Sequence, residues 1–222
     1  RRGWSQSARV SRPVTVVGNI TVGGTGKTPM TIWLAERLRS RGVRVGIVLR
    51  GYGGTSSQWP RDVTNETSAD EVGDEAVLLA RRTGALVVAG PDRVAAANRA
   101  IERGAQVILC DDGLQHYRLA RDLEIAVIDE RRGLGNRPLL PGGPLREPPS
   151  RLDSVALKVL TRRAQPSSSI ALPNAIVTTP VLGEAVSLGT GERRALQSFT
   201  GARVHAIAGI GNPQAFFDAL TG

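Results

Sequence analysis

The sequence predicts an α/β fold in which a mostly parallel sheet is flanked by helices. Three observations support this prediction. Apolar strand-like runs alternate with helical patterns from residue 13 onward, a glycine-rich turn joins the first strand to the first helix, and polar clusters follow several strands. The chain has 222 residues and is 41% hydrophobic, which is enough to bury a core of this kind.

The first strand and the first helix set the pattern. Residues 13–17 are a short apolar run typical of a strand, and residues 29–40 have the period of a helix. The apolar side chains of that helix share one face, which predicts that Trp33 points into the core. That face consists of Met30, Trp33, Leu34 and Leu38.

The later elements alternate in the same way. We predict strands at 43–49, 86–89, 106–110, 123–128 and 155–160, and helices at 74–83 and 94–103. Residues 55–72 are polar and predict a long loop, whereas residues 131–151 are rich in Pro, Gly and Arg and predict an irregular segment.

The chain divides into four predicted parts. Residues 1–12 are an N-terminal flank, 13–160 form the core, 161–200 form a linker or hairpin region, and 201–222 begin a further, truncated α/β domain. In the last part, a strand at 204–208 would make His205 a core or edge histidine, and a helix would follow it.

Composition narrows the classes of function. The net charge of +9, from 29 Lys and Arg against 20 Asp and Glu, suits phosphorylated substrates or an anionic membrane surface. Nucleic acid is not expected as a partner, since only 4% of residues are aromatic and no known binding module is visible. The single cysteine, Cys110, excludes a disulfide framework and indicates a reducing compartment. No apolar run approaches the roughly 20 residues that span a bilayer.

A phosphate-binding loop follows the first strand. Glycine amides, the next helix N-terminus, a mobile lysine charge and a threonine hydroxyl for Mg²⁺ suit a nucleoside triphosphate. The residues that would bind it are Thr21, Val22, Gly23, Gly24, Thr25, Gly26, Lys27 and Thr28. The fold prediction thereby narrows to a P-loop NTPase-like sheet.

Two acidic clusters contain candidate catalytic or metal-binding residues. Asp111 and Asp112 follow an apolar strand, as in a Walker B motif, so one of them is expected to hold Mg²⁺; the other reading is a turn or a cap. Asp74, in the run Gly73-Asp74-Glu75, is a candidate general base. The alternative is a structural role only, since carboxylates are stabilised at a helix N-terminus. His116 is either a surface residue or part of the site.

Several motifs in family order resemble the tetraacyldisaccharide 4′-kinases, which phosphorylate a lipid A precursor. The motifs are Asn19 to Pro29, Arg50-Gly51-Tyr52-Gly53-Gly54, Gly73-Asp74-Glu75, Asp111 to Asp122, Gly135-Asn136, Leu140 to Glu147 and Ala208 to Pro213. The resemblance implies ATP-dependent phosphorylation of the 4′-hydroxyl of an acylated glucosamine disaccharide 1-phosphate. It places this reaction at the cytoplasmic face of the bacterial inner membrane, with an anionic membrane surface and the lipid as partners and a monomer as the expected state.

The resemblance also implies roles for individual residues. Lys27 would be catalytic and hold the ATP phosphates, and Asp74 would be the base. Thr28 would bind Mg²⁺ with Asp111 or Asp112 and with Glu147. The expected substrate contacts are Arg50, Tyr52, Gln115, His116, Arg118, Arg121 and Arg146.

Two parts of the family pattern are missing from the sequence. Family members have an N-terminal membrane helix, to which residues 1–12 would be the juxtamembrane flank, and a C-terminal Asp-His motif whose histidine assists the base. We therefore expect residues 1–222 alone to bind nucleotide but to phosphorylate poorly.

Two other functions stay open on the residues alone. One is a partition-type ATPase that acts as a switch, although that class has a lysine where this chain has Val22. The other is a soluble small-molecule kinase with a similar phosphate loop.

Overall fold

The computed structural model describes residues 7–162, 172–210 and 213–221. Its ten strands are β1 Val14–Gly18, β2 Val45–Leu49, β3 Arg61–Val63, β4 Leu86–Ala89, β5 Val107–Asp111, β6 Leu123–Asp129, β7 Leu157–Thr161, β8 Ala175–Thr178, β9 Ala185–Val186 and β10 Arg193–Arg194. The α-helices are α1 Lys27–Arg39, α2 Ala69–Val72, α3 Asp74–Thr83, α4 Arg93–Glu102 and α5 Pro213–Thr221, and short 3₁₀ helices lie at Pro149–Ser154 and Leu196–Phe199.

Eight strands form one sheet in the order β3-β4-β2-β5-β1-β6-β7-β8. Every neighbouring pair is parallel except β3 and β4. The predicted α/β fold with a mostly parallel, helix-flanked sheet is confirmed. β9 and β10 form a separate two-stranded antiparallel sheet.

Both faces of the central strands β1, β2 and β5 are buried, which explains why these strands read as continuous apolar runs. Along β1, Val14 and Val16 pack on the side of α4, whereas Val17 packs on the opposite side with partly buried residues of α1. β5 alternates likewise, with Ile108 and Cys110 on the α4 side. The helices are thereby fixed against the sheet, and all parallel strands point their C-terminal ends to one edge.

The prediction that Trp33 belongs to the core is wrong. Its side chain is 51% exposed, and the Arg37 guanidinium lies over its ring. The buried positions of α1 are Thr31 and Ala35, with Leu34 and Leu38 partly buried beside them. Trp33 is about 200° around the helix axis from the buried Thr31. The apolar residues at i, i+3 and i+4 therefore identified the wrong face of the helix as the buried one.

Two other expectations need correction. Residues 55–72 are not only a loop, because they contain β3, which pairs antiparallel with β4, and the short helix α2. Residues 204–208 form no strand, and His205 is exposed instead of lying in a core or at a strand edge. An apolar run becomes a strand only where a partner strand supplies hydrogen bonds, and 204–208 pairs with none of the described strands.

The four-part division of the chain stays a prediction. β8 joins the main sheet through β7, so the sheet continues into the segment assigned to a linker. Among the described residues, no helix has the length and apolar character required to cross a membrane.

Candidate functional site

The phosphate-binding loop connects β1 to α1. α1 begins at Lys27, two residues before the predicted start, so Lys27 and Thr28 lie in its first turn. Gly26 precedes the helix with φ 92°, and Gly23 has φ 96°, backbone conformations that favour glycine. These glycines leave the loop free of side chains where amides would face a phosphate.

Buried polar groups hold this loop from inside. The Asn19 side-chain amide donates to Thr25 Oγ1 at 3.0 Å, and the Thr161 hydroxyl donates to the Thr25 carbonyl at 3.3 Å. On the other side, the amide of Val22 donates to the carbonyl of Pro144. Asn19 was not predicted as a site residue. The sequence signal for it was an amide side chain placed directly after a buried strand.

Hydroxyl and carboxylate groups from three elements meet beside the loop. Thr28 Oγ1 donates to Glu75 Oε1 at 2.5 Å and lies 3.3 Å from Asp111 Oδ2. Thr31 Oγ1 donates to Asp111 Oδ1 at 2.7 Å. α1, α3 and β5 therefore bring a threonine hydroxyl and two carboxylates together, and Glu75 is a member that the sequence prediction passed over.

Asp111 is held in an unfavourable environment for a charge. Burial, together with the nearby Glu75 carboxylate, raises the pKa of its carboxyl to about 7, although the hydrogen bond from Thr31 acts in the opposite direction. A cation beside these two carboxylates would relieve both the burial cost and the repulsion.

Asp112 lies between two cations. Its carboxylate accepts from Arg146 Nη1 at 2.8 and 2.9 Å, and Lys27 Nζ is 3.8 Å from Oδ1. Its φ of 47° is the left-handed value typical of an Asp-Gly turn. The turn interpretation therefore applies to this residue, which also lies beside the phosphate-loop lysine, and its expected role as an Mg²⁺ ligand stays a prediction.

A cavity of about 630 Å³ opens at this edge of the sheet. Seven of the predicted site residues line it, together with four that were not predicted. The first group is Arg50, Tyr52, Asp111, Asp112, Gln115, His116 and Arg146, and the second is Leu49, Glu75, Pro91 and Arg93. Such a cavity at the carboxyl ends of parallel strands is the usual ligand position in open α/β sheets.

Arg93 is the most unusual of the unpredicted residues. It is the first residue of α4, is only 4% exposed, and donates from Nη1 to the Gly90 carbonyl at 2.8 Å. Its buried Nε has no hydrogen-bond partner in the described part of the chain, and the same holds for His116 Nε2. A buried arginine N–H usually has a partner, so the Nε of Arg93 suits a site that takes an anion.

Besides the phosphate-loop residues 21–28, four predicted site residues lie outside the cavity lining. The Asp74 side chain is exposed, and its Oδ1 accepts from the amide of Glu75. Arg118 pairs with Asp92 at 2.8 Å. Glu147 is buried and receives hydrogen bonds from Gln115 and Tyr117. The roles predicted for these three residues stay predictions.

Arg121 is the fourth, and its contacts favour a structural role. Its guanidinium donates to the carbonyls of Leu114, His116 and Leu119 and to Glu124. Because its side chain is only 12% exposed, little of it is left for a substrate.

No three His, Cys, Asp or Glu side chains in ranges 7–162, 172–210 and 213–221 cluster closely enough to hold a metal by themselves. Thr28 and one or two carboxylates are nevertheless the donor set that Mg²⁺ uses when nucleotide phosphates and waters complete its shell. The residues present therefore fit this cation together with a nucleotide, and not as a separate protein cage.

Comparison with known proteins gives consistent matches. The sequence profile of the family described as LpxK, tetraacyldisaccharide-1-P 4′-kinase, matches residues 1–222. A tetraacyldisaccharide 4′-kinase from Alkalilimnicola ehrlichii is 49% identical over 225 residues, which cover 100% of this chain and 65% of that protein. One from Pseudomonas entomophila is 50% identical over 226 residues, covering 99% of this chain and 65% of its own length.

A solved structure agrees with these sequences. The crystal structure described as the "apo" form of LpxK from Aquifex aeolicus in complex with ATP superimposes with a TM-score of 0.81 at 29% identity, covering 97% of this chain and 69% of that one. The present chain thus spans about 65% of the length of the curated relatives it matches.

Proposed function

The chain belongs to the tetraacyldisaccharide-1-P 4′-kinase family, and we propose that it transfers the terminal phosphoryl group of ATP to the 4′-hydroxyl of a tetraacylated glucosamine disaccharide 1-phosphate in lipid A biosynthesis. One observation carries the proposal: the cavity of about 630 Å³ is lined by Glu75, which contacts Thr28 of the phosphate loop, and by Asp112, which lies beside Lys27. Phosphoryl transfer depends mainly on alignment and charge neutralisation, and this arrangement supplies both.

ATP binding is supported by the loop and by the solved relative, which is in complex with ATP. The amides between Gly23 and Gly26 and the N-terminus of α1 would face the phosphates, and Lys27 would add a full positive charge. Its neighbour Asp112 keeps the ammonium group in place before a nucleotide arrives.

Mg²⁺ is the second part of the proposal. The Thr28 hydroxyl and Asp111 would hold it, and Glu75, which hydrogen bonds to Thr28, would support the same position. The bound cation would neutralise charge on the phosphate oxygens during transfer. The sequence also suggested Asp112 and Glu147 as Mg²⁺ ligands. In this structure Asp112 accepts a hydrogen bond from Arg146, and Glu147 accepts one from Gln115.

The acceptor would enter along the cationic wall of the cavity. Arg50, Arg93 and Arg146 line it and are suited to the substrate phosphate or to the transferring group. Asp74 stays our candidate for the base, because it lies one residue before Glu75 and its carboxylate is exposed.

We also propose that the enzyme works at the cytoplasmic face of the inner membrane. The acyl chains of such a substrate stay in a bilayer, and a net charge of +9 suits an anionic lipid surface.

Transfer of label from ATP tests the proposal. The protein at its natural length is given labelled ATP with the acylated disaccharide 1-phosphate, with DNA, or with a panel of small metabolites. We expect label in the disaccharide only, and we expect Lys27→Met to lower the rate at least about 100-fold because it removes a transition-state cation.

The chain offers a matched control, since its other lysine, Lys158, lies near the start of β7, away from Thr161, through which the end of that strand contacts the loop. Lys158→Met should retain the wild-type rate. Label in a metabolite would favour a small-molecule kinase, and hydrolysis stimulated by DNA without transfer would favour the ATPase switch.

A further inference from the structure

A buried network of charged side chains lies behind the cavity. Two cations, Arg121 and Arg151, meet two anions, Glu124 and Glu147, and the Tyr117 hydroxyl lies among them. The four charged side chains are only 8 to 14% exposed. Their charges balance, which makes burial of the group tolerable.

The anchor of this network is on β6. Glu124 Oε1 accepts from Arg121 at 2.9 Å and from Arg151 at 2.5 Å. Arg151 also donates from Nε to the Tyr117 hydroxyl at 3.2 Å. Both guanidinium groups lie over the Tyr117 ring, at 5.2 and 5.8 Å from its centre. The ring is therefore held from two sides although the residue is half-exposed.

The network continues from Tyr117 to the cavity wall. Tyr117 donates its hydroxyl to Glu147 Oε1, and Glu147 Oε2 accepts from Gln115 Nε2 at 2.9 Å. Gln115 Oε1 in turn accepts from Arg146 Nη1 at 3.3 Å. Arg146 then pairs with Asp112, which is beside Lys27.

We propose that Tyr117 is a positioning residue of the site: its hydroxyl holds the Glu147 carboxylate, which fixes Gln115 and, through Gln115, the Arg146–Asp112 pair beside the phosphate-loop lysine. The proposal rests on the function proposed above. Tyr117 lies outside the cavity lining and contacts Glu147, through which it would act.

Two physical arguments support this role. A buried carboxylate left with fewer donors reorients toward the donors that remain, and this change would displace Gln115. A small displacement of aligned groups is enough to slow phosphoryl transfer strongly.

The test is Tyr117→Phe in the protein at its natural length, assayed on the acceptor that the wild type phosphorylates. We expect kcat to be about 10-fold lower, because loss of a hydrogen bond that supports a site residue typically lowers activity 10- to 100-fold. The KM for ATP should stay within about twofold of the wild-type value, and the melting temperature should change little. Ser154→Ala removes two exposed hydrogen bonds with Arg151, one to its side chain and one to its carbonyl, and leaves the contacts of Arg151 with Glu124 and Tyr117; it is the matched control and should leave kcat unchanged.

A double-mutant cycle separates positioning from simple structural support. If Tyr117 acts through the carboxylate, Tyr117→Phe should have little further effect on kcat in a Glu147→Gln background. Independent, multiplying effects on kcat would overturn the proposal, as would a Tyr117→Phe variant with wild-type kcat. If Tyr117→Phe does not fold, Arg151→Lys is tested instead, because it keeps the positive charge beside Glu124. An unchanged kcat in Arg151→Lys would contradict the proposal. If the wild-type protein phosphorylates a different acceptor, that result contradicts the proposed function and not the positioning role of Tyr117.

Discussion

Gly73 joins two parts of the candidate site at a point where no side chain fits. Its φ is 86°, and a Cβ there would overlap the carbonyl oxygen of Tyr52. This close approach packs the segment after β2 against the N-terminus of α3, from which Glu75 reaches Thr28. A single glycine thus determines how a cavity-lining loop and a carboxylate are placed relative to each other.

We expect Gly73→Ala to lower the free energy of unfolding by about 3 kcal/mol, since backbone overlap and a strained φ both add cost. Denaturant unfolding would measure the change. Gly183→Ala is the control, because nothing lies within 4 Å of its Cβ position and its φ is not in the left-handed region. Equal stability of the two variants would show that the overlap is relieved by a shift of the loop.

At the level of elements, the strands and helices that follow simple periods were predicted, and those decided by distant partners were not. α3 and β4 have the predicted bounds, Asp74–Thr83 and Leu86–Ala89. β3 was missed because its three residues, Arg61–Val63, carry no apolar alternation. What fixes β3 is pairing with β4 and an ion pair to α4, neither of which a local pattern reveals.

Asp62 of β3 should make stability depend on pH. Hydrogen bonds from Arg99 hold the pKa of its carboxyl below the ordinary value, against the opposing effect of partial burial, and Arg103 acts in the same direction as Arg99. A lowered pKa in the folded state stabilises above the ordinary value near 4, and this stabilisation is lost as pH falls through the lowered pKa.

Asp62→Asn should therefore cost about 1 kcal/mol at pH 7, the scale of a partly exposed ion-pair network, and the difference from wild type should shrink as pH falls below about 4. Unfolding free energies at pH 7, 5 and 3 would measure it. A difference that stays constant over this range would mean that the charge of Asp62 contributes nothing.

At the scale of the whole molecule, the sequence located the site better than it assigned the individual residues. The phosphate loop and Asp111 were predicted because parallel strands end at one edge, whereas Arg50 and Arg146, which line the cavity, were expected from the family resemblance. That resemblance, which depends on motifs in order, is confirmed by the match to residues 1–222. The sequence does not show whether Asp74 or Glu75 faces the site. Neighbouring residues on a helix point about 100° apart, and the packing of the helix decides which of the two directions is toward the cavity. The burial of Arg93 and the structural contacts of Arg121 depend on packing between distant segments.

Nucleotide binding should stabilise the whole fold, because the loop, α1, α3 and β5 must all be in place to form the site. With ATP at about 100 times its dissociation constant, the gain is about 2.7 kcal/mol, which corresponds to a melting temperature about 5 to 10 °C higher for a chain of this size. If Asp111 holds Mg²⁺, part of this shift needs the cation.

Asp111→Asn should therefore lose the Mg²⁺-dependent part of the shift and keep the shift seen with ATP and a chelator, since Lys27 and the loop amides remain. Asp153→Asn, a change at an exposed residue, is the control and should respond to MgATP as the wild type does. Thermal unfolding of the three proteins, each with ATP plus Mg²⁺ and with ATP plus chelator, measures both parts. An Asp111→Asn protein that retains the full Mg²⁺ response would remove Asp111 from the metal site and leave Glu75 as the carboxylate beside Thr28 to be tested next.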